Sequence, residues 1–357
     1  MTVIAAVNQD RGIQPGRAKG AAVHLNAMRS AFSDLGATVY PMDMPHDDQL
    51  LLELERLDRS RGIDLVYERY ALGSDTAAQF AARRDIPLVL EVNSPLANEQ
   101  EQFRNRPETD LEQQRDRKLF GLASRIMCVS SLVAEYACAR GADPALVEVC
   151  PNGIDASRFH PGVAPDAALE ELRDEHCVIG FHGRQRPWHG FDQLARVTRG
   201  LLERGLPVHL LVVGEGAFDE LDMLPESAWT RLGWQAHEKM PGLVATYHVL
   251  PLNYQPGLNC YFSPLKLMEA MACGVVPVVP DLGDLPSLVR HELNGLVFPA
   301  GDDEALAACL ARLSTDDTLR TRLGGQAAKT ATGHSWHDIA AGILRSHGVG
   351  QRSGETG

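Results

Sequence analysis

The sequence predicts an α/β protein made of two doubly wound, Rossmann-like domains. Three observations carry that expectation: apolar β-branched runs alternate with amphipathic stretches, one turn-rich segment interrupts the alternation, and the alternation then starts again. At 357 residues the chain exceeds a typical single domain, and each half is long enough to bury a real core.

In the first half, strands are expected at 3–7, 38–42, 65–67, 87–92, 125–129 and 147–149, with helices between them, as at 21–35 and 111–123. This βαβ order implies a parallel sheet covered on both faces. The stretch from Pro151 to Pro161 is rich in turn formers, has neither period, and reads as a linker. Strands are expected again at 178–181, 208–213, 230–232, 248–252, 275–279 and 295–297. The resulting division is a domain at 1–153, a second at 154–334, a helix at 335–346 that packs back toward the first, and a tail at 347–357 with nothing to bury, expected to be disordered. Ligands of such sheets bind beyond the carboxyl ends of the strands, and two domains facing each other would make that place a deep cleft.

Composition narrows the partners. Hydrophobic residues make up 44% and charged residues 23%, an ordinary soluble balance. Lys and Arg number 34 against 47 Asp and Glu, a net charge of −13 that disfavours nucleic acid and anionic membrane surfaces. No apolar run approaches the roughly 20 residues needed to span a bilayer, and the first residues read as a strand rather than a signal peptide, so a cytoplasmic location is expected. Seven cysteines without a Cys-x-x-Cys pair point to reduced thiols. The oligomeric state is left open.

The stretch 263–274 is the most informative. Ser263 reads as an N-cap, Pro264 as the first helical residue and Gly274 as the stop, with Glu269 further in. The amides of such a helix start suit a phosphate, and the carboxylate behind them suits a diol. The plainer alternative is an ordinary capped helix with a solvated glutamate. In the loop 182–190, Arg184 and Arg186 offer permanently charged donor forks suited to a diphosphate; the alternative is a solvated basic loop. Asp281 and Asp284 read as a turn before a helix rather than as metal ligands.

The order of these pieces, with Leu211 to Gly216, Leu232 to Trp234 and Asn294 to Leu296 between and after them, resembles retaining nucleotide-sugar glycosyltransferases of the GT-B fold, specifically family 4, the glycosyl transferases group 1. The first half agrees through 12–20 with His24, Val66 to Tyr70, Glu91 to Pro95 and Pro151 to Asp155, so the likeness runs from about residue 5 to 340. The resemblance implies a nucleotide diphosphate sugar as donor, UDP favoured, a small soluble acceptor, and a metal-independent front-face transfer with retention and no cofactor. It places Arg184, Arg186 and His189 on the donor diphosphate, with Arg186 foremost. Glu269 matches the second glutamate of the family's pair and would clamp the ribose. The first glutamate falls at Tyr261, so donor-sugar contacts would come from the backbone of Tyr261, Ser263 and Leu265. Lys266 would reach a phosphate or simply pair with Glu269. Gly20 would bring backbone close to the diphosphate, and Gly233 and Trp234 would meet the base. His24, Glu68, Arg69, Tyr70, Glu91 and Asn93 fall on the acceptor side. Asn93 stands where many relatives have histidine and cannot serve as a base, so the leaving phosphate would take the acceptor's proton while Arg186 stabilises its charge. Competing expectations are a nucleotide-sugar binding protein without transfer activity and a GT-B-fold epimerase.

Overall fold

The structure, a computed structural model, describes residues 1–10, 20–257, 260, 261 and 263–348. The loop expected before Gly20 and the tail from 349 on lie outside the described residues. The chain forms two compact units. Unit 1 contains Met1–Asn152, Tyr261–Ser263 and the segment from Trp336 on; unit 2 contains Gly153–Cys260 and Pro264–Ser335.

Unit 1 runs β1 (Val3–Asn8), α1 (Gly20–Asp34), β2 (Thr38–Asp43), α2 (Asp47–Arg61), β3 (Leu65–Arg69), α3 (Thr76–Arg84), β4 (Leu88–Val92), α4 (Leu96–Arg104), α5 (Asp110–Leu122), β5 (Arg125–Cys128), α6 (Ser131–Ala139) and β6 (Val147–Val149). Unit 2 continues with α7 (Glu170–Glu175), β7 (Cys177–His182), α8 (Phe191–Glu203), β8 (Val208–Val213), β9 (Trp229–Leu232), α9 (Met240–Thr246), β10 (Val249–Pro251), α10 (Leu265–Ala272), β11 (Val276–Pro280), α11 (Leu285–Leu288), β12 (Leu296–Phe298), α12 (Asp303–Thr315) and α13 (Asp317–Thr332). The chain then returns to unit 1 as α14 (Trp336–Ser346), which packs on α1.

Both sheets are parallel. Every residue of β1, β3, β4, β7 and β8 is buried, which follows from helices covering both faces and explains why most of their positions are apolar. Helix α8 shows how the helices attach: Phe191, Leu194, Ala195, Val197, Thr198 and Leu201 lie on one buried stripe at helical spacing. Thr109 and Glu112 close a capping box at the start of α5, fixing the angle at which that helix enters.

Strand order sets where each unit can hold a ligand. Unit 2 is ordered β12-β11-β10-β7-β8-β9, so successive crossovers leave β7 in opposite directions and open a crevice outside the carboxyl ends of β7 and β10. Unit 1 is ordered β2-β1-β3-β4-β5-β6, and its crevice lies beyond β1 and β3.

All twelve expected strands are present, shifted by at most two residues at either end. Two details differ from the sequence reading. Ser263 does not cap α10: the helix starts at Leu265 with Pro264 before it and no side-chain cap. The Ser263 hydroxyl instead accepts from the Asn152 amide at 2.7 Å, and the Asn152 side chain donates to the Ser263 carbonyl at 2.5 Å. Tyr261 and Ser263, expected in the second domain, accordingly cluster with unit 1. Among the described residues no helix is long and apolar enough to cross a membrane.

Candidate functional site

At the switch point of unit 2, β7 ends in His182 and leads into the loop of Arg184, Arg186 and His189. Gly190 closes this loop at φ 57°, and a side chain there would meet the Asn253 carbonyl at 2.0 Å, so only glycine lets the loops after β7 and β10 touch. The first turn of α10 brings two basic groups together here. The Lys266 ammonium lies 3.4 Å from His189 Nε2, 5.2 Å from the centre of the Phe181 ring and 6.0 Å from that of Tyr254. Burial pushes Lys266 down to about 8, against the pull of Glu269. Burial, then Lys266 and Arg186, push His189 down to about 3, with only the Arg184 backbone opposing. A half-enclosed ammonium beside a neutral imidazole, in cation–π contact with two rings, has the chemistry to receive an anion.

Glu269 does not pair with Lys266. One turn along α10 its carboxylate lies 3.3 Å from His182 Nε2, and the His182 ring stacks on Tyr247 at 5.9 Å. Arg186 lies over the Trp188 ring at 5.8 Å, while Arg184 is exposed and 3.4 Å from Glu215. Beyond β9, Trp234 is 64% exposed beside Gly233, a free aromatic face at the sheet's carboxyl end.

Unit 1 has a cavity of ≈ 790 Å³ at its own switch point, lined among others by Gln9, Asp47, Arg69, Ser74, Asn93 and Arg115. Glu91, near the end of β4, engages two residues of its lining, Arg69 and Asn93. It takes an ion pair from Arg69 at 2.7 Å, lies 3.0 Å from His24 Nε2, and accepts from Tyr67 and Asn93. Burial alone would raise Glu91, but His24 and Arg69 outweigh it and hold the carboxyl down to about 2. His24 is further fixed by Asn152 at 2.7 Å and by the Trp336 ring at 4.5 Å. Among the described residues no cluster of His, Cys, Asp or Glu is placed to hold a metal ion.

Comparisons with known proteins follow this division. Residues 20–158 match the family described as Glycosyltransferase Family 4, and residues 176–316 match Glycosyl transferases group 1. The chain belongs to the family 4 glycosyltransferases.

Among its relatives is the D-inositol 3-phosphate glycosyltransferase of Rhodococcus erythropolis, 33% identical over 221 residues that cover 58% of this chain and 49% of that enzyme. The enzyme of the same name from Salinispora arenicola is 27% identical over 322 residues, covering 80% and 68%. The chain thus spans about half the length of the first of these relatives. HepE of Anabaena, solved in complex with UDP-glucose, shares the fold at a TM-score of 0.68 and 19% identity, covering 97% of this chain and 99% of that one. Two Rossmann-like units with parallel six-stranded sheets give this family 4 chain the GT-B fold.

Within this family 4 chain the expected residues fall into two sets. Arg184, Arg186, His189, Gly233, Trp234, Leu265, Lys266 and Glu269 belong to unit 2; Gly20, His24, Glu68, Arg69, Tyr70, Glu91, Asn93, Tyr261 and Ser263 belong to unit 1. Not all have a free working end. The Tyr70 hydroxyl is engaged by Asp116 at 2.5 Å and Tyr136 at 2.8 Å within the core. Tyr261 packs in that core and donates to Glu99 at 2.5 Å. Glu68 is fully buried. Sequence reasoning missed His182 as the partner of Glu269, and Asp47 and Arg115 in the cavity wall. The one available signal was position: His182 ends a strand at a switch point, and Asp47 opens a helix after one.

Proposed function

We propose that this chain moves a sugar from a nucleotide diphosphate sugar, a UDP-sugar first of all, to a hydroxyl of a small soluble acceptor with retention at the anomeric carbon. The observation that carries the reading is the Lys266–His189 pair next to the His182–Glu269 pair at the switch point of unit 2. Lys266 and Arg186 would hold the diphosphate, and Glu269, oriented by His182, would accept from the ribose hydroxyls. As the bond from the anomeric carbon to the phosphate oxygen breaks, negative charge grows on that phosphate, and the two cations together with the amides of α10 favour it most at that moment. The acceptor oxygen bonds the same face of the sugar and passes its proton to the departing phosphate, so neither a protein base nor a metal ion is called for. Arg69 and Asn93, in the wall of the unit 1 cavity, would orient the acceptor.

The test is release of UDP from UDP-glucose and other nucleotide sugars across an acceptor panel headed by D-inositol 3-phosphate, the compound for which the relatives are named. The anomeric configuration of the product is read by NMR. Arg186→Ala and Glu269→Ala should each weaken nucleotide binding by roughly 1.5–3 kcal/mol. Wild-type affinity in both variants would remove the site assignment. Saturable binding without turnover would favour a nucleotide-sugar binder, a reading supported by the engagement of Asn93 by Glu91 and of Tyr261 by Glu99.

A further inference from the structure

Behind the wall of the unit 1 cavity stands a carboxyl group that none of these roles uses. Glu68, in β3, is fully buried, and neither of its oxygens has a hydrogen-bond partner among the described residues. The polar groups around it are satisfied. Arg115 of α5 holds Asp47 at 2.6 Å and Asp75 at 2.8 Å, and donates to the Gly73 carbonyl at 3.0 Å. Gln9 donates to Asp47 at 3.0 Å and accepts from Ser74. On the flanking strands Glu68 is in register with Val7 and Leu90, which carry no charge, and on its own strand Arg69 is engaged by Glu91. The charged groups that act on it are Asp75, from the turn before α3, and Asp47, from α2, and Arg115 of α5 holds both. One guanidinium already shared by two carboxylates leaves nothing for a third. An unpaired carboxylate in such a place costs far more than a proton does.

We propose that Glu68 is a positioning residue that works as a neutral carboxylic acid: while it keeps its proton, Arg115 holds Asp47 and Asp75 in place, and when it ionises a third negative charge behind the wall loosens the cavity lined by Gln9, Asp47, Ser74 and Arg115. Burial, followed by Asp75 and Asp47, pushes this carboxyl up to about 8. Because the folded value lies above the ordinary 4.5, the folded chain keeps a proton that the unfolded chain gives up across that interval. Stability of unit 1 then falls as pH rises from about 4.5 to about 8 and levels off above it.

Difference infrared spectroscopy of the full chain against Glu68→Gln tests this directly. Wild type should show a protonated-carboxyl C=O band at neutral pH that fades as pH rises through about 8, and the variant should lack it. The difference separates Glu68 from Asp116, whose carboxyl is also raised by burial. Hydrogen exchange at residues 73–76 and at the start of α2, corrected for intrinsic rates, should speed up above about pH 8 in wild type and stay slow in Glu68→Gln. The apolar Glu68→Met should behave as Gln does, so the comparison survives if one variant folds poorly. No such band in wild type at neutral pH, or the same alkaline acceleration in the variants, would overturn the proposal.

Discussion

Lys266 and His189 are 3.4 Å apart and cannot both be charged without cost, and their environments have already decided which one is. His189, held down to about 3, is neutral across the whole working range, whereas Lys266, at about 8, is mainly an ammonium at neutral pH. If the ammonium holds the diphosphate, affinity for a nucleotide sugar is flat below about pH 7 and falls as pH rises through about 8. UDP-glucose is the ligand to use in calorimetry, because its diphosphate is esterified at both ends and does not titrate nearby. Lys266→Met should bind more weakly at neutral pH and lose the alkaline fall. An inflection near the ordinary histidine value of 6.5 that disappears in His189→Gln would contradict the assignment of the neutral imidazole.

At the scale of elements, α10 is placed by its contact with α13. A β-carbon at Gly324 would come within 2.1 Å of the Gly274 carbonyl, whereas one at Gly325 would meet nothing within 4 Å. Alanine gains about 1 kcal/mol over glycine in a helix interior, but a clash with rigid backbone costs about 1–3 kcal/mol or more. Gly324→Ala should therefore lower the urea midpoint of unit 2 and weaken nucleotide binding through a displaced α10, while Gly325→Ala should raise the midpoint slightly. Equal midpoints for the two variants would mean that this contact does not position the helix. The same scale shows what could be read from sequence. The strands were legible because fully buried β-branched runs have few other uses, and their ends were less so because Asn8, Asp43, Arg69 and His182 are polar residues on which the hydrophobic pattern runs out. Those ends are where the candidate sites lie. The loop 182–190 and the stretch 263–274 stood out as motifs, but the pairing of Glu269 with His182 and of Glu91 with His24 joins residues 87 and 67 positions apart, and no local period encodes such distances.

Over the whole molecule, each unit has a core of its own, but unit 1 draws it from three separate stretches of chain. Its last contribution, α14, buries Trp336, Ala340 and Ile343, and each large apolar side chain so buried contributes about 1.5–3 kcal/mol. Ending the chain before Trp336 should cost unit 1 several kcal/mol and leave the core of unit 2 standing, visible as a split between the two halves in hydrogen exchange. Unchanged protection of α1 and β4 would contradict this. Trp336 is also the sole tryptophan of unit 1, and its ring lies 4.5 Å from that of His24. The three-stretch construction has a temporal side. During synthesis the first 152 residues leave the ribosome without the segment that completes their core, and must wait with the His24 face of α1 open while all of unit 2 is made. The nascent N-terminal half is thus the stage most in need of chaperone shelter, and unit 2, although later in sequence, is the first that can finish folding.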